Sequence, residues 1–312
     1  MRELSTAPAL EDRLARLPDW HPSSPRHAPD NRDEVRPLTD AEHCDHVANV
    51  KARLTGAETA GLATHVRHTV DRGNEVWSHE RRLVHDALLQ ALYARAAGVP
   101  CEYRAVLAGG LPGAGKTTVL DRHAGLDLSR YLTINPDQIK AELAQRGLIP
   151  HVDGLTPMEA TRLAHEESSH IAKRLAHRAQ ADGKNMIWDV TMSSPQACTG
   201  RIAALRVAGY ARIDAVFVDV PVDVSARRAD ARHRLGHDDF RAGVGLGGRY
   251  TPGELILAQA DSSWGSVNRA TFELVKDRLT SWARYDNSVD GRAARLVADS
   301  ANRLGSDAER PR

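Results

Sequence analysis

Cysteine is scarce in this sequence, and the few cysteines present are not paired by spacing. Cys44, Cys101 and Cys198 are the only three in 312 residues, and none belongs to a CxxC pair. A disulfide scaffold is built from an even set of cysteines, so this pattern argues against one and favours a reducing compartment. We therefore expect a cytoplasmic protein.

An excess of charge of one sign is also absent. The sequence has 42 Lys and Arg residues against 41 Asp and Glu, which leaves a net charge of +1. Such a chain has no electrostatic means of wrapping duplex nucleic acid or adhering to an anionic membrane. Aromatic residues make up only 4%, and no basic stripe with interleaved aromatics is visible, so no nucleic-acid partner is expected.

Long hydrophobic runs are missing as well. No stretch approaches about 18 uninterrupted apolar residues, so no membrane-spanning helix is expected. Residues 1–13 contain no apolar segment of the kind that a secretory signal needs, which agrees with a cytoplasmic location. With 41% apolar and 27% charged residues, the composition is that of an ordinary globular protein.

The chain changes character along its length. Residues 1–38 are rich in proline and polar residues, which predicts a disordered or loop-rich N-terminus. Apolar residues recur at helical spacings over residues 39–97, which predicts an all-helical N-terminal extension. Residues 98–300 form the predicted main domain, and the polar residues 301–312 a disordered tail.

Short β-type runs alternate with helical patterns in the main domain. Near-continuous apolar strands that alternate with helices indicate an α/β fold, a three-layer sandwich whose mostly parallel sheet is covered on both faces. The predicted strands cover residues 103–108, 131–135, 185–190, 212–221 and 294–298.

One motif carries the chemistry. Residues 110–117, GLPGAGKT, fit the pattern G-x-x-x-x-G-K-[ST] between a β-type run and a helical pattern. Glycines let backbone N–H groups turn inward around phosphate oxygens, and the positive end of the following helix adds to the attraction. In a P-loop NTPase or kinase the lysine reaches the β- and γ-phosphates and the hydroxyl ligates Mg²⁺. The predicted nucleotide-binding residues are Gly110, Leu111, Pro112, Gly113, Ala114, Gly115, Lys116, Thr117 and Thr118.

Carboxylates at the ends of predicted strands are candidates for catalysis and metal binding, because these strand ends line one crevice in an open α/β sheet. Asp137 follows the second strand and could accept a proton from an acceptor hydroxyl. It could equally cap the following helix. Asp189, at the end of the third strand, could hold Mg²⁺ through water, and Asp219 competes for that duty. Either of these two could instead be a turn carboxylate.

Arginines are candidates for contacting the transferring phosphate, whose equatorial oxygens need cations from a segment that can close. Arg228 and Arg232 lie four residues apart on one predicted helix face, and Arg249 follows a glycine-rich stretch. A solvated basic helix paired with Asp230 and Asp238 explains Arg228 about as well.

Together these elements resemble the zeta-toxin family of P-loop kinases. The matching segments are residues 109–118 (GGLPGAGKTT), 135–137 (NPD), 165–169 (HEESS), 188–191 (WDVT) and 228–252, which ends in GRYTP. Residues 77–81 (WSHER) with His85, and residues 285–288 (YDNS), also fit the family. The order and spacing of these segments are the specific part of the resemblance.

The resemblance implies a kinase that uses ATP or GTP with Mg²⁺ and phosphorylates a hydroxyl of a small molecule. In the best-known members that hydroxyl is the sugar 3'-hydroxyl of UDP-N-acetylglucosamine. The implied catalytic residues are Asp137 as the base, and Lys116, Arg232 and Arg249 as cations for the phosphate. The implied metal ligands are Thr117 and, through water, Asp189. The implied acceptor contacts are Glu167, Ser168, Thr191 and Arg228, with Glu166 as an alternative to Glu167.

One position departs from the family pattern. Ser193 stands where a basic contact to the acceptor is expected. This departure weakens the UDP-sugar assignment and leaves the kinase assignment intact. An antibiotic, metabolite or dinucleotide phosphotransferase on the same scaffold therefore stays open, as does a non-catalytic nucleotide-binding regulatory module.

The expected partners are a small-molecule acceptor and an antitoxin protein. The helical extension could instead inhibit the protein in cis by covering the nucleotide crevice. His43 and His46, in the run HCDH, are not expected to form a metal site. Adjacent residues of a helix point in different directions, and no second ligand pair follows at zinc-finger spacing.

Overall fold

A computed structural model describes residues 35–73 and 75–300 of the chain. The predicted loop-rich N-terminus (1–38), apart from its last four residues, and the predicted tail (301–312) lie outside the described residues. Among the residues that are described, no helix is both long enough and apolar enough to cross a membrane.

Ten α-helices occur in the described part of the chain. They are α1 (Asp40–Thr59), α2 (Thr64–His68), α3 (His79–Arg95), α4 (Lys116–Arg122), α5 (Pro136–Gln145), α6 (His165–Ala181), α7 (Pro195–Val207), α8 (Val222–Arg241), α9 (Gly253–Leu257) and α10 (Val267–Val275). Short 3₁₀ helices cover Leu128–Arg130, Ala160–Ala164 and Lys276–Arg278.

Ten β-strands accompany them in the same described residues. They are β1 (Thr69–Asp71), β2 (Val76–Trp77), β3 (Arg104–Gly109), β4 (Leu132–Ile134), β5 (Met186–Asp189), β6 (Arg212–Asp219), β7 (Ala260–Asp261), β8 (Gly265–Ser266), β9 (Ser281–Asp286) and β10 (Arg295–Asp299).

Six of these strands form one sheet in the order β10-β9-β6-β3-β5-β4. Every neighbouring pair is parallel except β10 and β9, which pair antiparallel. The prediction of a mostly parallel α/β sheet is therefore confirmed. Strand β3 lies between β6 and β5, and its Ala108 is in register with Asp189 of β5. This register places Asp189 beside the C-terminal end of β3, on the neighbouring strand.

The sequence pattern does not predict β9. Burial alternates along this strand, with Ser281, Ala283 and Tyr285 buried and the residues between them partly exposed. Because Arg284 and Asp286 interrupt the hydrophobic run, the segment lacks the continuous apolar signal that reveals β3 and β6.

The chain divides into two compact units. Unit 1 consists of the described residues up to Arg95 together with Pro136–Arg174 and Ala231–Tyr250. Unit 2 consists of Ala96–Asn135, Leu175–Asp230 and the described residues from Thr251 onward. The predicted boundary between an extension (39–97) and a P-loop domain (98–300) stays a prediction.

Unit 1 begins with a capped helix. The Thr39 hydroxyl accepts from the backbone N–H of Glu42, and the Glu42 side chain accepts from the backbone N–H of Thr39. This capping box satisfies two backbone donors and starts α1 at Asp40. Val50 and Leu54 of α1 then pack with Leu163 in a small hydrophobic core.

The predicted all-helical extension contains one exception. Strands β1 and β2 form a short antiparallel hairpin between α2 and α3. Thr69 and Val70 are β-branched, and Gly73 lies in the turn, which favours a hairpin over a helix at this point.

Unit 2 contains the sheet and a core on the face of β3 and β6. Val106 and Ala108 of β3 pack there with Val216 and Val218 of β6, all at most 1% exposed. Val119 of α4 joins the same cluster. The burial of α4 against these strands fixes the direction in which the chain leaves β3.

Candidate functional site

A glycine-rich loop connects β3, which ends at Gly109, to α4, which begins at Lys116. Gly110 has a φ of 136°, which L-residues with a side chain rarely adopt. A Cβ at Gly110 would meet the Val218 carbonyl oxygen at 2.4 Å, which is a severe overlap. The motif therefore forms the strand–loop–helix arrangement that phosphate loops require.

Other segments of unit 2 hold this loop from outside. The Ser225 hydroxyl donates to the Pro112 carbonyl, and the Asn287 side-chain amide donates to the Ala114 carbonyl at 2.7 Å. Leu111 and Ala114 are buried. Because side chains outside the loop hold both of these carbonyls by hydrogen bonds, the loop is preorganised for a ligand. The sequence motifs do not include Ser225, and they include Asn287 only as part of the matching segment 285–288.

Lys116 lies over its own loop. Its Nζ donates to the carbonyls of Gly110 at 3.1 Å and Leu111 at 3.3 Å, and lies 3.5 Å from Asp189 Oδ1. Thr117 and Thr118 are exposed in the first turn of α4. The Lys116 ammonium and the Asp189 carboxylate thus lie together, and two exposed hydroxyl residues follow in the first turn of the helix, at its positive end.

The structure separates the two competing aspartates. Asp189 is in contact with Lys116, and its Oδ2 accepts from the Asn135 amide at 2.8 Å. Asp219 Oδ2 instead lies 3.2 Å from both Arg269 Nη1 and Arg284 Nη1. Burial raises the pKa of Asp219, but both arginines keep its charge compensated. Asp189, not Asp219, is therefore the carboxylate in contact with Lys116.

The segment after β5 packs on the start of the same loop. Met192 is buried, and its sulfur would lie 2.4 Å from a Cβ added to Gly109. The Thr191 carbonyl accepts from Asn268 at 2.7 Å, and its hydroxyl lies 3.1 Å from that of Ser193. The predicted acceptor residue Thr191 is thus held in place with its hydroxyl partly accessible.

Arg228 has a different partner from those that the sequence suggests. Its Nε donates to Asp290 Oδ1 at 2.6 Å, whereas the sequence pattern points to Asp230 and Asp238. Arg228 also lies near the loop, because its Cβ would be 3.4 Å from a Cβ added to Gly113.

In unit 1, Asp137 is surrounded by cations. Its Oδ2 lies 2.6 Å from Arg249 Nη1, and its Oδ1 accepts from Lys140 Nζ at 3.2 Å. Helix α5 begins at Pro136, so Asp137 is its second residue and does not precede it as a capping residue would. The pKa of Arg232 is lowered first by desolvation and then by the charge of Arg249, while Asp137 acts in the opposite direction. The structure therefore brings Asp137, Arg232 and Arg249 into one cluster.

Arg249 is positioned by the residues on either side of it. A Cβ at Gly248 would lie 2.0 Å from the His233 carbonyl oxygen of α8, so only glycine allows this close approach. Tyr250 joins the small core of unit 1 with Leu54 and Leu163. Arg249 therefore projects from a segment anchored on both sides.

Glu167 and Ser168 face inward, as expected, but they are fully buried. Arg81 donates to Glu167 through Nε at 2.6 Å and Nη2 at 2.9 Å, and His85 Nε2 lies 2.7 Å from the same carboxylate. The Ser168 hydroxyl donates to the His165 carbonyl at 2.8 Å. Glu166, in contrast, is exposed. The acceptor-binding role of these residues stays a prediction, and Glu167 has a clear structural partner set.

Replacing Glu167 by Gln should lower the free energy of unfolding by about 3–5 kcal/mol, because it leaves the buried Arg81 charge unpaired. Chemical denaturation of wild type and Glu167→Gln measures this difference. Glu166→Gln is the matched control, because it removes an exposed carboxylate from the same helix and should change stability by less than about 0.5 kcal/mol. Equal stability of the two variants would contradict the structural role.

The same ion pair predicts a dependence on pH. Burial alone would raise the pKa of Glu167, but hydrogen bonds from His85 and Arg81 lower it from 4.5 to about 2. A depressed carboxyl pKa stabilises the folded state above the ordinary pKa, and that contribution disappears as the pH falls from 4.5 towards 2. Denaturation curves above and below this range should show the loss in wild type and a smaller one in Glu167→Gln.

The fold and the loop define a class of protein. A parallel sheet whose central strand runs through a glycine loop into a helix is the P-loop kinase-like fold. A family model described as Zeta toxin matches residues 101–290, and the chain belongs to the zeta-toxin family. No curated protein matches the sequence significantly.

Solved structures show the same fold. The AvrRxo1-ORF1:AvrRxo1-ORF2 complex with sulphate ions is similar with a TM-score of 0.54 and 18% identity, over 73% of this chain and 71% of that chain. The AvrRxo1-ORF1:-ORF2 structure with ATP has a TM-score of 0.51 and 17% identity, over 72% and 68% respectively. A weaker match, to the PezAT toxin–antitoxin system of Streptococcus pneumoniae, has a TM-score of 0.46 and 16% identity, over 69% and 79%.

Proposed function

We propose that this protein is a kinase that transfers the γ-phosphate of ATP, or of GTP, to a hydroxyl of a small molecule. The observation that carries the proposal is the loop from Gly110 to Thr117, whose Lys116 lies 3.5 Å from Asp189. A nucleotide sugar such as UDP-N-acetylglucosamine is the favoured acceptor, because the family resemblance implies it. The AvrRxo1-ORF1:-ORF2 neighbour solved with ATP supports the choice of nucleotide.

The residues beside the loop suit Mg²⁺. This ion prefers hard oxygen ligands and keeps several of its waters, and the Thr117 hydroxyl and the Asp189 carboxylate offer such oxygens at an accessible position. In this proposal Thr117 would hold the ion directly and Asp189 would hold it through water. Bound Mg²⁺ would neutralise charge on the phosphates. The loop N–H groups and Lys116 bind and orient the nucleotide.

Asp137 is the proposed base. Its two cationic neighbours, Arg249 and Lys140, favour the ionised carboxylate, which is the form that can accept a proton. For transfer to occur, Arg249 exchanges its contact with Asp137 for one with the transferring phosphate, and Arg232 adds a second positive charge. The proton of the acceptor hydroxyl then passes to the freed Asp137 oxygen.

The proposed acceptor contacts are Thr191, Arg228, Glu167 and Ser168. Thr191 and Arg228 lie beside the start and middle of the loop, which supports their roles. The roles of Glu167 and Ser168, which are buried in unit 1, are proposed from the family resemblance. Ser193 replaces a basic contact, and this observation favours an antibiotic, metabolite or dinucleotide acceptor as the second candidate. An antitoxin protein is the proposed partner, because the AvrRxo1-ORF1 neighbours were solved in complex with ORF2.

Inhibition in cis by the N-terminal helices also stays a proposal. Helix α1 packs through Val50 and Leu54 into the core of unit 1, so removing it would disturb that core. A surface change is therefore a cleaner test than deletion. Raised activity of the double variant Lys51→Glu, Ala52→Glu, at two exposed positions of α1, would support inhibition, and unchanged activity would contradict it.

The test of the function is phosphate transfer from labelled ATP or GTP with Mg²⁺ to a panel of UDP-sugars, dinucleotides and aminocyclitols. Lys116→Met should abolish transfer, because it removes the cation that grips the phosphates. Lys173→Met removes an exposed lysine of α6 and should leave transfer unchanged. Transfer only to an acceptor other than a UDP-sugar would contradict the UDP-sugar assignment and keep the kinase assignment. Nucleotide binding without any transfer would favour a non-catalytic regulatory module.

A further inference from the structure

Three histidines surround a buried glutamate in unit 1, and none of these four residues has a role in the proposed transfer reaction. Glu159 is fully buried, and it lies at the start of the 3₁₀ helix Ala160–Ala164. His46 comes from α1, and His233 and His237 come from the part of α8 that belongs to unit 1. Residues four apart in a helix share one face, so α8 presents two imidazoles to the glutamate and α1 adds a third.

The two oxygens of Glu159 have different partners. Oε2 accepts from the backbone N–H of Thr156 at 2.8 Å, and the Thr156 hydroxyl accepts from the backbone N–H of Glu159 at 3.3 Å. These local bonds fix the carboxylate plane. Oε1 faces the histidines, at 2.6 Å from His46 Nε2, 2.9 Å from His233 Nε2 and 3.4 Å from His237 Nδ1.

Three of these groups have the geometry of a metal-ligand set. The donor atoms of His46, Glu159 and His237 all lie within 4.8 Å of one another. Zinc binds imidazole nitrogen and carboxylate oxygen at about 2.0–2.2 Å, so tetrahedral ligands lie about 3.3 Å apart. The distance of 3.4 Å between His237 Nδ1 and Glu159 Oε1 matches that spacing. The 2.6 Å between His46 Nε2 and Glu159 Oε1 is shorter than that spacing, so these two atoms would have to move apart by about 0.7 Å to ligate zinc.

Hydrogen bonding within the protein does not use all the donor atoms. His237 Nδ1 is buried and lies 3.4 Å from Glu159 Oε1, but the two atoms are not aligned for a hydrogen bond, and the nitrogen has no other hydrogen-bond partner among the described residues. A buried polar atom without a partner costs free energy. An ion between His46, Glu159 and His237 would use this nitrogen. It would also be approached by water, because His46 and His237 keep 16% and 14% of their side-chain surface exposed.

We propose that His46, Glu159 and His237 bind a divalent transition-metal ion, with zinc as the best fit to two imidazoles and one carboxylate. His233 holds the Glu159 carboxylate in place as an outer partner, in the manner of groups that orient metal ligands. Water fills the fourth position. The bound ion links α1, α8 and the segment before the 3₁₀ helix within unit 1, and so stabilises that unit independently of the proposed kinase activity.

The proposed site takes His46 from the HCDH run, where the sequence analysis expects no metal ligand. The other two ligands are Glu159 and His237, which lie far from the run in sequence.

The test uses the full chain, stripped with a chelator and titrated with Zn²⁺ alone. We expect one equivalent of zinc by elemental analysis after gel filtration, a rise in Tm on zinc addition, and a visible absorption spectrum of tetrahedral Co²⁺ when cobalt is added instead. His46→Gln and His237→Gln should each weaken zinc binding by at least about 100-fold, and His233→Gln by about 10–100-fold, as for loss of an outer-shell partner.

His151→Gln is the matched control, because His151 is exposed and belongs to the same unit. It should bind zinc as wild type does. Failure of wild type to bind zinc or to give the cobalt spectrum would overturn the proposal, whether or not the variants fold. Wild-type affinity in both His46→Gln and His237→Gln would overturn it as well.

Discussion

Asp137→Asn should lower kcat for phosphate transfer by about 10²–10⁴-fold, the usual contribution of general base catalysis. The asparagine amide has the size of the carboxylate but cannot take the proton of the acceptor hydroxyl. Nucleotide affinity should stay nearly the same, because the phosphate loop of unit 2 is unchanged. Steady-state transfer assays and calorimetric titration with ATP measure the two quantities.

Asp153→Asn is the matched control for this prediction. Asp153 also lies in unit 1, and its side chain is 94% exposed, so its replacement should change neither kcat nor nucleotide affinity. Transfer by Asp137→Asn at the wild-type rate would remove Asp137 from the mechanism. This result would also favour the alternative that the protein binds nucleotide without transferring phosphate.

Arg249→Ala should lower kcat by about 10³–10⁵-fold, the range seen for an arginine that stabilises the transferring phosphate. The residue is in contact with Asp137 at 2.6 Å, so the proposal requires it to change partner during the reaction. Because the interaction forms with the transition state, KM for ATP should change far less than kcat. Measurement of kcat and of KM for ATP in wild type and Arg249→Ala tests this expectation.

Arg249→Lys adds a graded control. It keeps the positive charge and loses the planar fork, so its kcat should fall between those of wild type and Arg249→Ala. Arg122→Ala removes an exposed arginine of α4 and should have no effect. A rise in KM alone, with kcat preserved in Arg249→Ala, would indicate a role in binding and not in catalysis.

Five strands of the six-stranded sheet and the phosphate loop could be predicted from the sequence, because their signals are local. The predicted run 103–108 corresponds to β3 (Arg104–Gly109), and the run 185–190 to β5 (Met186–Asp189). Continuous apolar runs mark strands that are buried on both faces. The loop is also local, since its conformation follows from glycines and a lysine at fixed spacing within one stretch of chain.

The choice between Asp189 and Asp219 needed the structure. Both end apolar strands, and nothing in their local sequence distinguishes them. Only the register of β5 beside β3 and the arginines at Asp219 separate their environments. The same holds for Asn287, which reaches the loop from a distant position in the chain.

The sequence alone determined the α/β class and the phosphate loop, because these depend on periodicity and spacing along the chain. The roles of the other polar residues follow from the zeta-toxin resemblance and stay predictions. Only the tertiary structure decided that Glu167 is enclosed by Arg81 and His85, and that Glu159 collects histidines from two helices. Such groupings form when distant segments pack. Their ion pairs and ligand sets depend on distances through space, which the order of residues does not contain.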